Sequence, residues 1–175
     1  TQITVAAATA VARGIRKKTG LASEIKWPND ILVRRKKVCG ILTEMSAELD
    51  KIKYLVLGIG LDVNFSERDF PEELRSIATS LRVELGREVH RAELAAELLR
   101  ELDSDYGRLR EGKFSAVAEE WEQNCTTIGQ NVEIAVGPRK IEGRAESLDP
   151  EGALLVRTQH GRLERIIGGD VTLRT

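Results

Sequence analysis

A chain of 175 residues is long enough for one medium domain, or for one domain and a small companion. Its 27 basic and 28 acidic residues nearly cancel to a formal net charge of -1, which excludes a general polyanion binder, because that task needs a clustered excess of Lys and Arg. No apolar run nears the roughly 18 residues of a membrane helix, no signal peptide is visible, and the two distant cysteines, Cys39 and Cys125, read as core thiols of a cytoplasmic protein, not as a disulfide framework or metal site.

Ile3 to Lys18 is Ala-rich and helical in pattern. Arg16, Lys17 and Lys18 complement a helix C-terminus, and Gly20 is a natural stop. The pattern begins almost at once in a chain without an initiating Met, so an upstream portion is expected. Glu24 to Val33 reads as a strand that carries Lys26-Trp27-Pro28-Asn29-Asp30. Pro28 fixes its own φ and holds Trp27 extended, so Asn29 and Asp30 leave the backbone at a defined angle as a compact set of donors and acceptors. Arg34 to Lys37 reads as a basic turn, and Val38 to Glu48 as the next strand, with Gly40 inside it. A surface hairpin with a charged tip would explain this much. Lys37-x-x-Gly40 says more, because it sets a cation beside a point where backbone can approach a ligand.

Asp50-Lys51 predicts another turn. Tyr54 to Asn64 alternates cleanly: Leu55, Leu57, Ile59, Leu61 and Val63 on one face, and Tyr54, Val56, Gly58, Gly60, Asp62 and Asn64 on the other. Two bare glycines followed by two polar side chains make a poor core face. They make a good floor for a flat ligand, or else a solvent face with bulges. Phe65 to Pro71 is a loop, Pro71-Glu72-Glu73 can open a short helix, and Ala78 to Leu81 is ambiguous. Arg91 to Leu109 is the clearest helix, with an apolar stripe of Leu94, Leu98, Leu99, Leu102, Tyr106 and Leu109. Phe114 to Asn124 is another. Both stripes read as core, and His90 and His160 lie outside any metal-ligand spacing. After Gly129 come short β-rich runs at Val132–Val136, Ile141–Leu148, Ala153–Arg157, Leu163–Ile167 and Val171–Leu173, divided by Gly- and Pro-bearing turns. This texture predicts a small SH3-like barrel. The boundary near Thr127 to Gln130 divides the chain into residues 1–127 and 128–175.

Lys26-Trp-Pro-Asn-Asp30, Lys37-Val-Cys-Gly-Ile-Leu-Thr-Glu44, Gly58-Ile-Gly-Leu-Asp-Val-Asn64, Ala78-Thr-Ser-Leu81 and Gly168-Gly-Asp-Val-Thr-Leu-Arg174 resemble the successive motifs of biotin–protein ligases. The resemblance runs over essentially the whole chain. It implies an α/β (α+β) fold: a mixed-sheet catalytic domain followed by the SH3-like barrel. It also implies two reactions. Biotin and MgATP give biotinyl-5′-adenylate and pyrophosphate, and a lysine of a biotin carboxyl carrier protein then attacks the mixed anhydride and releases AMP. In that reading Lys37 serves the biotin carboxylate and the adenylate phosphate, and Lys26 the nucleotide. Asn29, Asp30 and Asp62 lie on the ATP side, while Gly40, Leu42, Gly58 and Gly60 lie against biotin. Fixed lysines and a metal would neutralise the like charges that adenylation brings together.

Three departures stand out. The family usually has Asn where this chain has Asp62, so either the carboxylate recruits metal or the resemblance is imperfect there. Simple alternation from Val38 puts Lys37 on the face opposite Gly40 and Leu42. The family's glycine/arginine-rich loop, of the type G-R-G-R-x-G-R, is absent, which predicts weak adenylate binding and poor ligation by this chain. No winged-helix, nucleic-acid-binding segment is read here. A lipoate–protein ligase and a non-catalytic carrier-binding module are the competing readings. An edge strand could pair two copies across a two-fold axis.

Overall fold

The computed structural model describes residues 1–48 and 51–173. Helix α1 (Gln2–Thr19) ends on Gly20 in the left-handed conformation, whose N–H donates to the Arg16 carbonyl. Ten of its residues are buried, from Val5 to Ile15. Small side chains let it lie close to its neighbours. A Cβ at Gly14 would stand 2.6 Å from Leu98 Cδ2 on helix α3 (Arg91–Arg110).

The expected strand Glu24–Val33 is instead two strands, β1 (Glu24–Lys26) and β2 (Asp30–Val33), paired antiparallel with Lys26 opposite Asp30. Pro28 withholds an N–H from the ladder, and Trp27–Asn29 becomes the turn. The basic turn is also shorter than expected. Only Arg34 and Arg35 form it, both at positive φ (49° and 66°), and strand β3 begins at Lys36 and runs to Glu48. Strand β4 (Lys51–Leu61) completes the first sheet. The expected turn at Asp50-Lys51 falls partly outside the described residues, and Asp62 to Asn64 lie beyond the strand end.

The sheet order is β1-β2-β3-β4, and every pairing is antiparallel. The expected mixed sheet is therefore corrected: short hairpins join consecutive strands, whereas parallel neighbours need long crossovers. Parallel pairing among the described residues is confined to two isolated bridges, Ile25 with Cys125 and Lys37 with Ala78. Two 3-10 turns, Glu67–Asp69 and Glu72–Leu74, lead to helix α2 (Leu81–Leu85). Ser80 caps that helix, its Oγ accepting from the Val83 N–H at 3.1 Å.

Helix α4 (Phe114–Asn124) buries Phe114, Val117 and Trp121. On α3, Leu94 and Leu98 are buried, but Leu99 is 65% exposed and Tyr106 53%. These two line a surface groove with Ile3, Leu55 and Leu57, so only part of the expected stripe is core. Strands β5 (Asn131–Val136), β6 (Arg139–Leu148), β7 (Leu154–Thr158), β8 (Leu163–Ile166) and β9 (Asp170–Leu173) form a second antiparallel sheet in the order β8-β7-β6-β5-β9. Its buried Val132, Ile134, Leu154 and Val156 join one apolar cluster with α1 and the first sheet. The Glu122 carboxylate on α4 accepts the Leu148 N–H at 2.6 Å, and Gln2 donates to the Pro150 carbonyl at 2.8 Å. The architecture is α/β, with two antiparallel sheets and helices packed on the first.

Candidate functional site

The β1–β2 hairpin brings Lys26 and Asp30 together as cross-strand neighbours. Asn29 fastens the turn to β3. Its amide donates to the Ile41 carbonyl at 2.6 Å, and its carbonyl accepts the Ile41 N–H at 2.9 Å. Asn29 is thus scaffold for the hairpin.

The register of β2 on β3 then slips by one residue. Ile31 pairs with Cys39, but Leu32 pairs with Lys37, which leaves Val38 as the extra residue of a bulge. Val38 and Cys39 are buried in succession, at 0% and 1% exposure. The bulge breaks the two-residue alternation, and it answers the conflict over Lys37. The Lys37 ammonium lies over Gly40: a Cβ at that glycine would stand 3.3 Å from both Lys37 Cε and Nζ. Lys37 Nζ also pairs with Asp30 Oδ1 at 2.5 Å.

A third element holds this lysine's backbone. The Lys37 N–H donates to the Ile77 carbonyl, and the Thr79 N–H donates to the Lys37 carbonyl, both at 2.8 Å. Asp62 is tied in between, its N–H donating to Val38 at 2.9 Å and its carbonyl accepting from Leu81 at 3.0 Å. The ambiguous Ala78–Leu81 stretch is therefore a clamp across the end of the sheet.

These residues wall one cavity of about 750 Å³. Lys26, Asp30, Lys37, Gly40, Gly60 and Asp62 supply its polar side and its bare floor. Phe65, Phe70, Leu74 and Ile77 supply an apolar wall opposite. The two Phe rings meet edge to face, 5.8 Å between centroids and 72° between planes. Burial raises the Asp62 carboxyl above the usual carboxylate range, against the pull of Lys37. The Cys39 thiol, in the same cavity, is pushed up to about 12 by burial first and by the Asp62 charge second, so it is no nucleophile at neutral pH.

Leu42 and Gly58 do not line the cavity. They face each other across β3 and β4 on the open surface of the sheet, where Leu42 is 60% exposed. The aromatic wall and the clamp were not read from the sequence. The signal available was two Phe within six residues in a chain that is 4% aromatic. No group of three or more His, Cys, Asp or Glu among the described residues is placed to hold a metal alone. Two carboxylates with room for a ligand's phosphates do match how Mg²⁺ is usually held.

The same chain matches two family models. Residues 1–63 match the biotin/lipoate A/B protein ligase family, and residues 127–174 match the biotin protein ligase C-terminal domain. Among curated relatives, the bifunctional ligase/repressor BirA of Bacillus spizizenii is 39% identical over 172 residues, 98% of this chain and 53% of that protein. The biotin–[acetyl-CoA-carboxylase] ligase of Mycobacterium tuberculosis is 34% identical over 149 residues, 84% and 52%. The chain spans about half the length of the curated relatives it matches. The apo structure of biotin protein ligase from Aquifex aeolicus superposes with a TM-score of 0.84 at 29% identity, over 99% of this chain and 74% of that one. The same enzyme in complex with biotin and ATP gives 0.82 at 28% identity, over 99% and 71%.

Proposed function

Because this chain belongs to the biotin–protein ligase family, we propose that it supplies the lysine-bearing part of a site that joins biotin to ATP and passes the biotinyl group to a carrier-protein lysine. The observation that carries the reading is Lys37, lying over the bare Gly40 and paired with Asp30 at 2.5 Å in a cavity shared with Asp62.

In the first step a biotin carboxylate oxygen attacks the α-phosphorus of ATP. The bond to the bridging oxygen breaks, and pyrophosphate leaves with the electron pair. Two anions must approach, and a fixed ammonium between them lowers that barrier more than a mobile one would. Lys37 takes that place, where it can follow the negative charge from carboxylate to adenylate phosphate. Lys26 faces the nucleotide from across the hairpin. Gly40 and Gly60, directly opposite each other, let a flat ligand lie on backbone. Leu42 and Gly58 extend this apolar strip onto the open sheet, where the biotin ring system would rest. Asn29 serves the ATP side indirectly, by holding the turn that aims Asp30. Asp30 and Asp62 together would hold Mg²⁺, which supplies further neutralisation of the phosphates. In the second step the neutral amine of the acceptor lysine attacks the anhydride carbonyl, the bond to AMP breaks, and the ammonium so formed gives up a proton.

In the same reading residues 1–127 are the catalytic unit. Residues 128–175 are the small SH3-like barrel, built from the β5–β9 sheet. The acceptor is a biotin carboxyl carrier protein in the cytoplasm, and the outer edge of β4 can pair two copies across a two-fold axis.

Biotin-dependent exchange between ATP and pyrophosphate tests this, measured on the chain and on a longer polypeptide that contains it, with lipoate as control. Exchange that requires biotin and disappears in Lys37→Ala is the expected result. No exchange from either polypeptide, or equal exchange with lipoate, would overturn the assignment.

A further inference from the structure

The Arg34-Arg35 turn is a dense basic feature that the reaction above leaves unused. A two-residue hairpin turn with positive φ at both positions is normally built from Asn and Gly, because other side chains clash with the backbone there. Here it is built from two arginines, at φ 49° and 66°. The neighbouring cations are engaged. Arg34 Nη1 reaches Glu84 Oε2 at 3.3 Å, and Lys36 Nζ donates to the Arg75 carbonyl at 2.9 Å. Arg35 has no ion pair among the described residues. It stands instead on the shared wall of two spaces: the cavity of about 750 Å³ that holds Lys37, and a cleft of about 800 Å³ between the first sheet and β9. Lys26 and Leu32 stand on the same shared wall. The cleft brings one carboxylate, Glu24, against these two cations, with Thr126, Gln130 and Thr172 as further polar lining.

We propose that Arg35, with Lys26, forms a polyphosphate subsite in the passage between the two spaces, where the pyrophosphate end of the nucleotide lies and from which pyrophosphate leaves. The proposal rests on the ligase reading for its ligand. It follows from position and chemistry: a guanidinium grips phosphate oxygens in a two-pronged fashion, and the two-residue turn between paired strands fixes the backbone that carries it. Triphosphate extending from Lys37 toward Lys26 points along this wall. Arg35 is a positioning residue for the leaving group and does not touch the reacting carboxylate.

Glycine at these turn positions suits the backbone, so Arg35→Gly and Arg34→Gly remove each guanidinium without straining the turn. Binding of inorganic pyrophosphate, followed by calorimetry on the 175-residue chain, is the direct test, with thermal melts confirming that each variant is folded. Arg35→Gly should weaken pyrophosphate binding about tenfold, while Arg34→Gly changes it less than about twofold and Arg35→Lys recovers part of the loss. Equal effects of the two glycine variants, no effect of Arg35→Gly, or no binding by the parent chain would each overturn the subsite. The exchange assay separates this from the ligase reading. Pyrophosphate binding that depends on Arg35 without biotin-dependent exchange removes the ligase reading alone. Exchange with binding indifferent to Arg35 removes the subsite alone.

Discussion

Two of the places where basic and acidic side chains meet, one between the helices and one at the sheet, differ in burial and in the number of partners. Between the helices, Arg13 on α1 reaches Glu101, Asp105 and Glu120, with 2.7 Å to Asp105 and 2.6 Å to Glu120. Asp105 is wholly buried, and Arg13 is only 19% exposed. At the sheet, Lys37 pairs with Asp30 alone among the described residues, and the two are 48% and 23% exposed. A largely buried guanidinium shared by three carboxylates is a clamp, costly to open because Glu101 and Asp105 have little access to water. A half-exposed lysine with one partner contributes little to stability and stays available to a ligand. Charge composition does not separate structural from functional clusters; burial and the number of partners do.

The sharpest way to break this comparison is Arg13→Ala. It leaves buried Asp105 with Arg108 at 3.4 Å and Glu101 with Lys17, and should destabilise the fold by about 3–5 kcal/mol in urea denaturation. A loss below about 1 kcal/mol would mean that the helix knot is no more structural than the site. Lys37→Ala should do the reverse. Biotin-dependent exchange should fall by about 100-fold or more, while the unfolding free energy stays within about 1 kcal/mol of the parent.

The knot also divides its acids, which gives a third and smaller effect. Burial raises both carboxyls, but hydrogen bonds from Lys17 and Arg13 bring Glu101 below its ordinary value. For Asp105 burial prevails over the Arg13 and Arg108 charges and holds it above. Its Oδ1 lacks a hydrogen bond, although Arg108 stands 3.4 Å away. The two signs are opposite. A lowered folded pKa gives stability that is present above the unfolded value and lost as pH falls through the folded one. A raised folded pKa gives stability that is present below the unfolded value and lost as pH rises through the folded one. On acidification from neutral pH through the carboxylate range, the parent's advantage over Glu101→Gln should shrink and its advantage over Asp105→Asn should grow. Parallel trends in urea midpoints would show that Arg13 serves both acids alike.

Periodicity made some of this legible from sequence. The Ala-rich run located α1 and the apolar stripes α3 and α4, and the alternation in Tyr54–Asn64 set Gly60 and Asp62 on the cavity side and Leu57 and Ile59 toward the core. What failed was local geometry that leaves the composition unchanged. The reversal at Trp27–Asn29 sits inside a run that scans as one strand, although Pro28 and the Asn29-Asp30 pair are turn residues. The bulge at Val38 adds a residue without adding a glycine or a proline, and two adjacent buried residues are its faint trace. Positive φ at two arginines has no residue signature at all. The stretch from Phe65 to Ile77 becomes a cavity wall through the pairing of Ile77 with Lys37, a partner distant in sequence, so no local pattern shows which way it faces. The same limit explains Leu99 and Tyr106, which obey the helical period yet face a groove that the described residues leave open.

Gly40→Ala gives the smallest expected change and the finest test of the contrast. The added methyl would meet the end of the Lys37 side chain at 3.3 Å and Asp30 Oδ1 at 3.9 Å. A flexible ammonium can retreat by a few tenths of an ångström, and alanine loses less freedom than glycine on folding, so stability should change by less than about 1 kcal/mol. The cost falls on position. Lys37 would leave the surface over which the carboxylate and phosphate must meet, and exchange should drop about tenfold. Gly40→Ala added to Lys37→Ala should cost less than it does alone, because the displaced group is already gone and only the covered floor remains. An undiminished loss in the double variant would mean that the bare floor matters more than the lysine above it.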